Sequence, residues 1–446
     1  MSKPKSPLSL DSSLGMQRRA SRLIPGMTQL LSKRPDMFSL GVWPGYFSRA
    51  AGAEVWDLDG NRYVDMSLGG IGANALGYAD PDVDQAVVRA VASGTSCSLN
   101  CPEEVELAER LVGLHPWAGM ARFARTGGEA MAVAVRIARA HTGRDTIAFC
   151  GYHGWHDWYL AANLGDTDSL DGHLLPGLAP AGVPRGLRGT ALPFRYNRIE
   201  ELSRIVAEHG DSLAAIVMEP LRNDLPEGDF LGQVRRLADT AGAVLVFDEI
   251  SIGFRLTTGG AHLVVGGVSP DMAVFSKALG NGYPMAAILG REAVMRSTQK
   301  TFISSTYWTE RIGPSAALAV IDKFERLDVP AHLARIGSLV QRGWREAALA
   351  HGLDIQVGGL PPMGHFSFGH AQAQAMKACF IQHMLEEGYL ASNLFYAMWP
   401  HTEAHVAGYL EAVDKAFAET ARVLARGDFE AVLRGRPAQT GFTRLN

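Results

Sequence analysis

Short apolar runs separated by amphipathic stretches set the plan of this chain. Ala243–Phe247 and Met272–Phe275 are apolar and bounded by Gly or Pro, and Thr146–Cys150 and Ala214–Met218 have the same form. Runs of that length between breakers read as strands buried on both faces, as in a parallel sheet. Leu231–Ala241 carries helical spacing between two of them, so strand and helix alternate from Thr146 to Leu289. That alternation predicts an α/β fold with a doubly wound, mostly parallel sheet.

The flanks read differently. Ser12–Leu23 predicts a short helix stopped by Pro25-Gly26, and Glu54–Leu58 and Asn61–Met66 flank Asp59-Gly60, a hairpin signal. Asp82–Ala92 and Glu103–Leu111 predict amphipathic helices. From about Arg326 a helix (Ala331–Leu349), two strands (Asp354–Val357 and His365–Phe368), a helix (Ala371–Glu387) and a last helix follow. In that last helix Val406, Leu410, Val413, Phe417, Ala421 and Leu424 recur at helical spacing. The expected division is an N-terminal segment (1–75) packing with the small domain, a large domain (76–325) and a C-terminal small α+β domain (326–446). Residues up to Leu10 are Ser/Pro/Lys-rich and read as loose.

Composition narrows the function classes. A hydrophobic share of 47% and a charged share of 20% are those of an ordinary globular chain. A net charge of −4 and the absence of a Lys/Arg stripe argue against nucleic acid as a partner. Four cysteines without a CxxC pair, no apolar segment of signal-peptide form and no membrane-length run lead to the expectation of a cytoplasmic protein that does not engage membranes.

Candidate chemistry collects at the strand ends. The run Ala243–Phe247 ends in Asp248-Glu249, Met272–Phe275 in Ser276-Lys277, and Ala214–Met218 in Glu219-Pro220. Ligands of open α/β sheets bind beyond the carboxyl ends of the strands, so an acid and a lysine reach one edge. A cofactor with a basic ring nitrogen and an aldehyde needs that pair, the carboxylate to keep the nitrogen protonated and the amine to form a Schiff base. Each alone has a plainer explanation, as a strand-end cap or a solvated lysine; their joint presence favours function. Thr126-Gly-Gly-Glu129 fits a capping box opening a long helix, and two glycines there leave N–H groups open to a phosphate. GYHGWHDW brings His153, His156 and Asp157 together, but further metal ligands at suitable spacing are lacking, and so aromatic a loop suits stacking on a planar ring. No metal is expected. Gly70-x-Gly72-x-x-Ala75 imitates a dinucleotide fingerprint, yet Ala90 and its neighbours offer no acid for a ribose. Gly165–Gly189 is a long Gly/Pro/Asp-rich stretch of the kind used as a lid or binding loop.

Taken in order, TGGEA, GYHGWHDW, MEP, VFDE, GFR, FSKALGNGYP and SST resemble the class III aminotransferases, pyridoxal-phosphate enzymes of fold type I, from about Trp43 onward. The hairpin VWDLDGNRYVD and GFRLTTGGAH are most similar to the branch holding glutamate-1-semialdehyde aminomutase and its relatives in surface-sugar and antibiotic biosynthesis. The resemblance implies pyridoxal 5'-phosphate as cofactor and a homodimer with shared active sites. It implies that Lys277 is the Schiff-base lysine and proton carrier, and that Asp248 pairs with the pyridinium nitrogen. Tyr152 would stack on the ring with His153 beside it, and Gly127 and Gly128 would hold the phosphate through N–H groups. Thr306, with Ser305 beside it, would reach the phosphate of the partner subunit, and Glu219 matches the family's Glu-Pro.

Four departures from that pattern stand out. Arg125 stands where Asn or Ser is expected, and Gly128 where the family has Thr. WPGYF replaces an aminomutase segment like PVRAF, removing the Arg that grips a substrate carboxylate, and YWTERIGP follows SST in place of Gly-Asn-Pro. An aromatic, uncharged wall suits a sugar or cyclitol, and Trp43, Tyr46, Trp155, Trp158 and Tyr307 are the residues expected to line it. The expected activity is transamination from a small-molecule amino donor, glutamate by family habit, to a keto or aldehyde acceptor. The alternatives are an intramolecular aminomutase or epimerase using the same cofactor, and a non-catalytic cofactor-binding protein, against which the intact Lys277 and Asp248 argue.

Overall fold

The computed structural model describes residues 8–173, 176–221 and 223–438. The Ser/Pro/Lys-rich residues 1–7, two positions of the 165–189 stretch and the last eight residues of the C-terminal domain lie outside the described residues. The chain divides into two compact units, one of residues 8–80 with 332–438 and one of residues 81–331.

The 81–331 unit is built on seven strands, β1 (Met120–Ala124), β2 (Thr146–Cys150), β3 (Ala191–Pro193), β4 (Leu213–Met218), β5 (Val244–Asp248), β6 (Met272–Phe275) and β7 (Ala286–Gly290). Their order is β1-β7-β6-β5-β4-β2-β3, and β7 alone runs against the others. Every residue of β2, β4, β5, β6 and β7 is buried. This is the burial that the unbroken apolar runs demand, each Val, Leu or Ile contributing about 1.5–3 kcal/mol. The mostly parallel α/β sheet is therefore as the sequence predicts. The edge strands β1 and β3 are not visible in the sequence: both are largely half-buried, with Arg122 inside one and Pro193 ending the other.

The helix Gly127–Thr142 lays Ala130, Ala134, Ile137 and Ala138 on the sheet, all fully buried. Small side chains let it approach closely, and this carries its first turn to the edge where β5 and β6 end.

In the other unit, Tyr389–Leu390, Arg62–Asp65, Glu54–Asp57 and Phe47–Ala51 form one sheet in that order. Asp57 Oδ1 closes the hairpin by accepting the Asp59 and Asn61 N–H groups at 2.9 and 2.8 Å. Ile355–Leu360, Met363–Phe368 and Leu394–Tyr396 form a second, antiparallel sheet. The helices Ala373–Glu386 and Glu403–Arg426 belong to the same unit. Trp344 donates its indole N–H to the Tyr409 hydroxyl at 2.9 Å, both fully buried, so the polar ends of two large rings satisfy each other. Phe47–Ala51 escapes sequence reading because most of it is exposed and its pattern does not alternate. Among the described residues no helix is long and apolar enough to cross a membrane.

Candidate active site

Asp248 is the last residue of β5 and lies opposite Val274 of β6, three residues before Lys277. It is 3% exposed. Its Oδ1 accepts the Ile250 N–H at 3.0 Å, and its Oδ2 lies 2.8 Å from His153 Nδ1. The other ring nitrogen, Nε2, lies 2.9 Å from the Cys150 carbonyl, which can only accept, so Nε2 carries a proton. A second proton must then lie between Nδ1 and Oδ2. The buried pair is thereby neutral as a unit, as burial without a counter-ion requires.

Lys277 Nζ donates to Ser251 Oγ at 2.7 Å. Its φ is +48°, a left-handed conformation that costs a residue with a Cβ about 1–3 kcal/mol. Ser276, buried beside it, holds this turn by donating from Oγ to the Met285 carbonyl at 2.8 Å and by accepting the Leu279 N–H at 3.1 Å.

The capping box forms as the sequence predicts: the Thr126 side chain accepts from the Glu129 N–H, and Glu129 Oε2 accepts the N–H groups of Arg125 and Thr126 at 3.0 and 3.3 Å. Gly127 and Gly128 occupy the first turn, whose N–H groups have no acceptor within the helix. A Cβ on Gly127 would lie 2.8 Å from Ile250 Cδ1, and one on Gly154 would lie 3.1 Å from the Gly128 Cα. Only glycine lets the strand end, the aromatic loop and the helix start approach so closely.

Within that loop Tyr152 is exposed and stands edge-on to Tyr159, whose hydroxyl donates to the Gly151 carbonyl at 3.0 Å. Glu219 Oε2 lies 3.2 Å from the position of a Cβ on Gly151. His173 Nδ1 accepts the Gly151 N–H at 3.1 Å, tying the 165–189 stretch to the loop. Trp155 is 70% exposed and stacks on His156, with ring centroids 4.2 Å apart. Trp158 is only 5% exposed; it packs in the core beneath the loop and lies parallel to His153.

Arg125 explains its own departure from the family pattern. Its Nη2 donates to the carbonyls of Trp308 and Glu310 at 2.9 and 3.0 Å, and its Nε lies 2.8 Å from Glu310 Oε1. Glu310 also caps the helix Ile312–Leu327, accepting the Ile312 and Gly313 N–H groups at 2.6 and 2.9 Å. The turn carrying Thr306 and Tyr307 is thus anchored to the start of the Gly127–Thr142 helix, while Ser305, Thr306 and Tyr307 are exposed. Trp43 and Tyr46 belong to the other unit, where Trp43 stacks on Phe38 at 4.1 Å and the Tyr46 hydroxyl donates to the Met27 carbonyl at 3.1 Å. No motif marks Ser251 or His173 in the sequence, because each acts on a residue brought to it by folding.

Behind Asp248, fully buried Glu249 accepts the N–H groups of Ala261 and His262 and the His262 Nδ1–H, at 2.9, 3.0 and 2.7 Å. His115, also fully buried, bonds the Leu111 carbonyl at 2.7 Å and accepts the Gly260 N–H at 2.9 Å. Burial, with His262 close by, pushes the His115 pKa down to about 4 from its ordinary 6.5. The unfolded chain therefore binds the extra proton first. Stability is complete above about pH 6.5 and falls as pH drops toward 4, by about 1.4 kcal/mol per pH unit from this group. Denaturant titrations at pH 7 and 5 are expected to show that loss, and a His115→Gln variant a shallower one.

Residues 41–415 match the family model for class III aminotransferases. The chain belongs to this family. It is 31% identical to the 3-aminobutyryl-CoA aminotransferase of Cloacimonas acidaminovorans over 94% of this chain and 99% of that one. It is 32% identical to the 2'-deamino-2'-hydroxyneamine transaminase of Streptomyces kanamyceticus, over 85% and 91%. It is 30% identical to the glutamate-1-semialdehyde 2,1-aminomutase of Methanococcoides burtonii, over 91% and 98%. Among solved structures, the FumI protein of a Sphingopyxis species in its PLP internal aldimine form superposes with a TM-score of 0.84 at 25% identity, covering 96% of this chain and 98% of that one. A transaminase with PLP bound gives 0.80 at 27%, over 93% and 99%.

This aminotransferase has residues that fit such a group. A buried carboxylate and a lysine amine stand at neighbouring strand ends, and a helix start kept open by two glycines faces the same loop. At that helix start His156 Nδ1 is buried without a hydrogen-bond partner among the described residues.

Proposed function

We propose that the enzyme is a transaminase that moves an amino group from an amino acid, glutamate in the simplest case, to a keto or aldehyde group on a polyhydroxylated acceptor such as a sugar or cyclitol. The observation that carries this reading is the placement of Lys277 and of the buried Asp248–His153 couple at the ends of adjacent strands. Bound pyridoxal 5'-phosphate supplies the carbonyl that accepts the amino group and the ring that withdraws its electrons.

The remaining chemistry falls to this chain. Lys277 Nζ takes the proton from the substrate carbon and returns it on the far side of the transfer. Asp248 keeps the ring nitrogen protonated, and His153 acts through Asp248 by sharing a proton with Oδ2. Gly127 and Gly128 hold the phosphate through N–H groups at a helix start, Tyr152 covers a ring face, and Glu219 backs the aromatic loop. Trp155 and Tyr307 form the aromatic wall for the acceptor; Trp158 supports it from the core. The relative acting on 2'-deamino-2'-hydroxyneamine supports a polyhydroxylated acceptor.

The enzyme works as a homodimer in which Thr306, helped by Ser305, reaches the phosphate site of the partner subunit. Exposed Leu99, Phe302 and Tyr307 are the apolar surface that a second copy would cover. The four unpaired cysteines suit a reducing, cytoplasmic setting.

The test is the visible spectrum of the purified enzyme. Glutamate is expected to bleach the cofactor band with release of 2-oxoglutarate, and a keto-sugar to restore it. The 30% identity to an aminomutase favours a second reading, intramolecular amino transfer. Product formation from one substrate with no keto acid released would establish that reading in place of the first.

A further inference from the structure

Gly128 has no hydroxyl to offer a phosphate, and the fold fills the same space from another element. A Cβ on Gly128 would lie 3.5 Å from both Nδ1 and Cε1 of His156, and 3.7 Å from Trp155 Nε1. The imidazole therefore sits over the first turn of the Gly127–Thr142 helix, where the orphan N–H groups are. Its Nδ1 is buried and lacks a hydrogen-bond partner among the described residues, a costly condition for a polar atom unless a ligand relieves it. Trp155 stacks on the outer face of the ring at 4.2 Å and 21°, fixing its orientation. Gly154, with φ at +104° and its Cα side against Gly128, lets the loop come down this far.

We propose that His156 is a phosphate ligand of the cofactor, its Nδ1–H replacing the side-chain hydroxyl that Gly128 lacks. The inference rests on the cofactor site proposed above and adds a residue to it. The tautomer with hydrogen on Nδ1 donates to a phosphate oxygen beside the Gly127 and Gly128 N–H groups, and the ring needs no net charge to do so. The hydroxyl that Gly128 lacks and the imidazole that lies over it then form one compensated arrangement.

The test compares binding of pyridoxal 5'-phosphate and of pyridoxal, which lacks the phosphate, to the full chain stripped of cofactor. His156→Ala is expected to weaken pyridoxal 5'-phosphate by about ten- to a hundredfold, the range for one hydrogen bond to a charged group, and to leave pyridoxal unchanged. Adding Gly128→Ser to His156→Ala is expected to recover most of the loss, since a Cβ there meets only ordinary contacts. Equal weakening of both ligands would show that the ring merely packs, and no weakening of either would show that it touches nothing that matters; each result overturns the proposal. Should the Ala variant not fold, His156→Asn, which keeps a donor, against His156→Leu, which does not, makes the same comparison. A phosphate preference lost only in Leu supports the role, and equal preferences in the two refute it. If the unaltered chain itself shows no preference for the phosphate, the cradle proposed for Gly127 and Gly128 fails as well. If that preference exists and survives His156→Ala, only the role of His156 is lost.

Discussion

Lys277→Ala is expected to lower kcat by about 10⁴-fold or more, the upper end of what a positioned acid–base group contributes. In the proposed mechanism the amine carries the proton at the reacting carbon, and water reaching the same place has neither its basicity nor its position. Lys277→Arg is expected to fail equally, because a guanidinium stays protonated at any working pH. Stability should change little. Ala keeps the left-handed backbone at this position, and the hydrogen bond from the amine to Ser251 is worth about 1 kcal/mol. Rapid-mixing kinetics of the half-reaction with glutamate, alongside a denaturation curve, check both statements. A variant turning over within tenfold of the parent would remove Lys277 from the chemistry.

The second large effect is at Asp248. Asp248→Ala is expected to cost about 10²–10³ in kcat, the range for losing one group that stabilises charge in a preorganised site. It also strips the partner from a fully enclosed His153 Nδ1, at about 1–3 kcal/mol of stability. Asp248→Asn separates the two roles. The amide can still bond His153 and accept the Ile250 N–H, so stability should recover, while kcat should stay near the Ala value because no negative charge holds the ring nitrogen protonated. Recovery of kcat in the Asn variant would mean that Asp248 acts by geometry alone.

Both expectations depend on distances between residues remote in sequence. Asp248 and His153 are 95 positions apart, and Lys277 and Ser251 are 26 apart. Each contact exists because parallel strands put their carboxyl ends on one edge of the sheet. Strand order determines which ends are neighbours, and a single chain written as a line does not contain that order.

The sequence by itself determined the central sheet. Strands buried on both faces must be apolar throughout, so β2, β4, β5 and β6 announce themselves as apolar runs between breakers. The start of the Gly127–Thr142 helix was equally legible, because a capping box is a local interaction among four consecutive residues. Edge strands were not legible: β1, β3 and Phe47–Ala51 are half-exposed, so polar residues interrupt them at little cost and the pattern dissolves. Only the tertiary structure decided how the departures at Arg125 and Gly128 are used. Arg125 finds its partners at Trp308 and Glu310, and Gly128 lies beneath the His156 ring. Long-range polar contacts of this kind leave no periodicity behind, since one residue on each side suffices to make them. The burial of Trp158 beneath the aromatic loop was decided in the same way: an indole reads alike in sequence whether it faces a substrate or a core, and packing against neighbouring elements chooses between them.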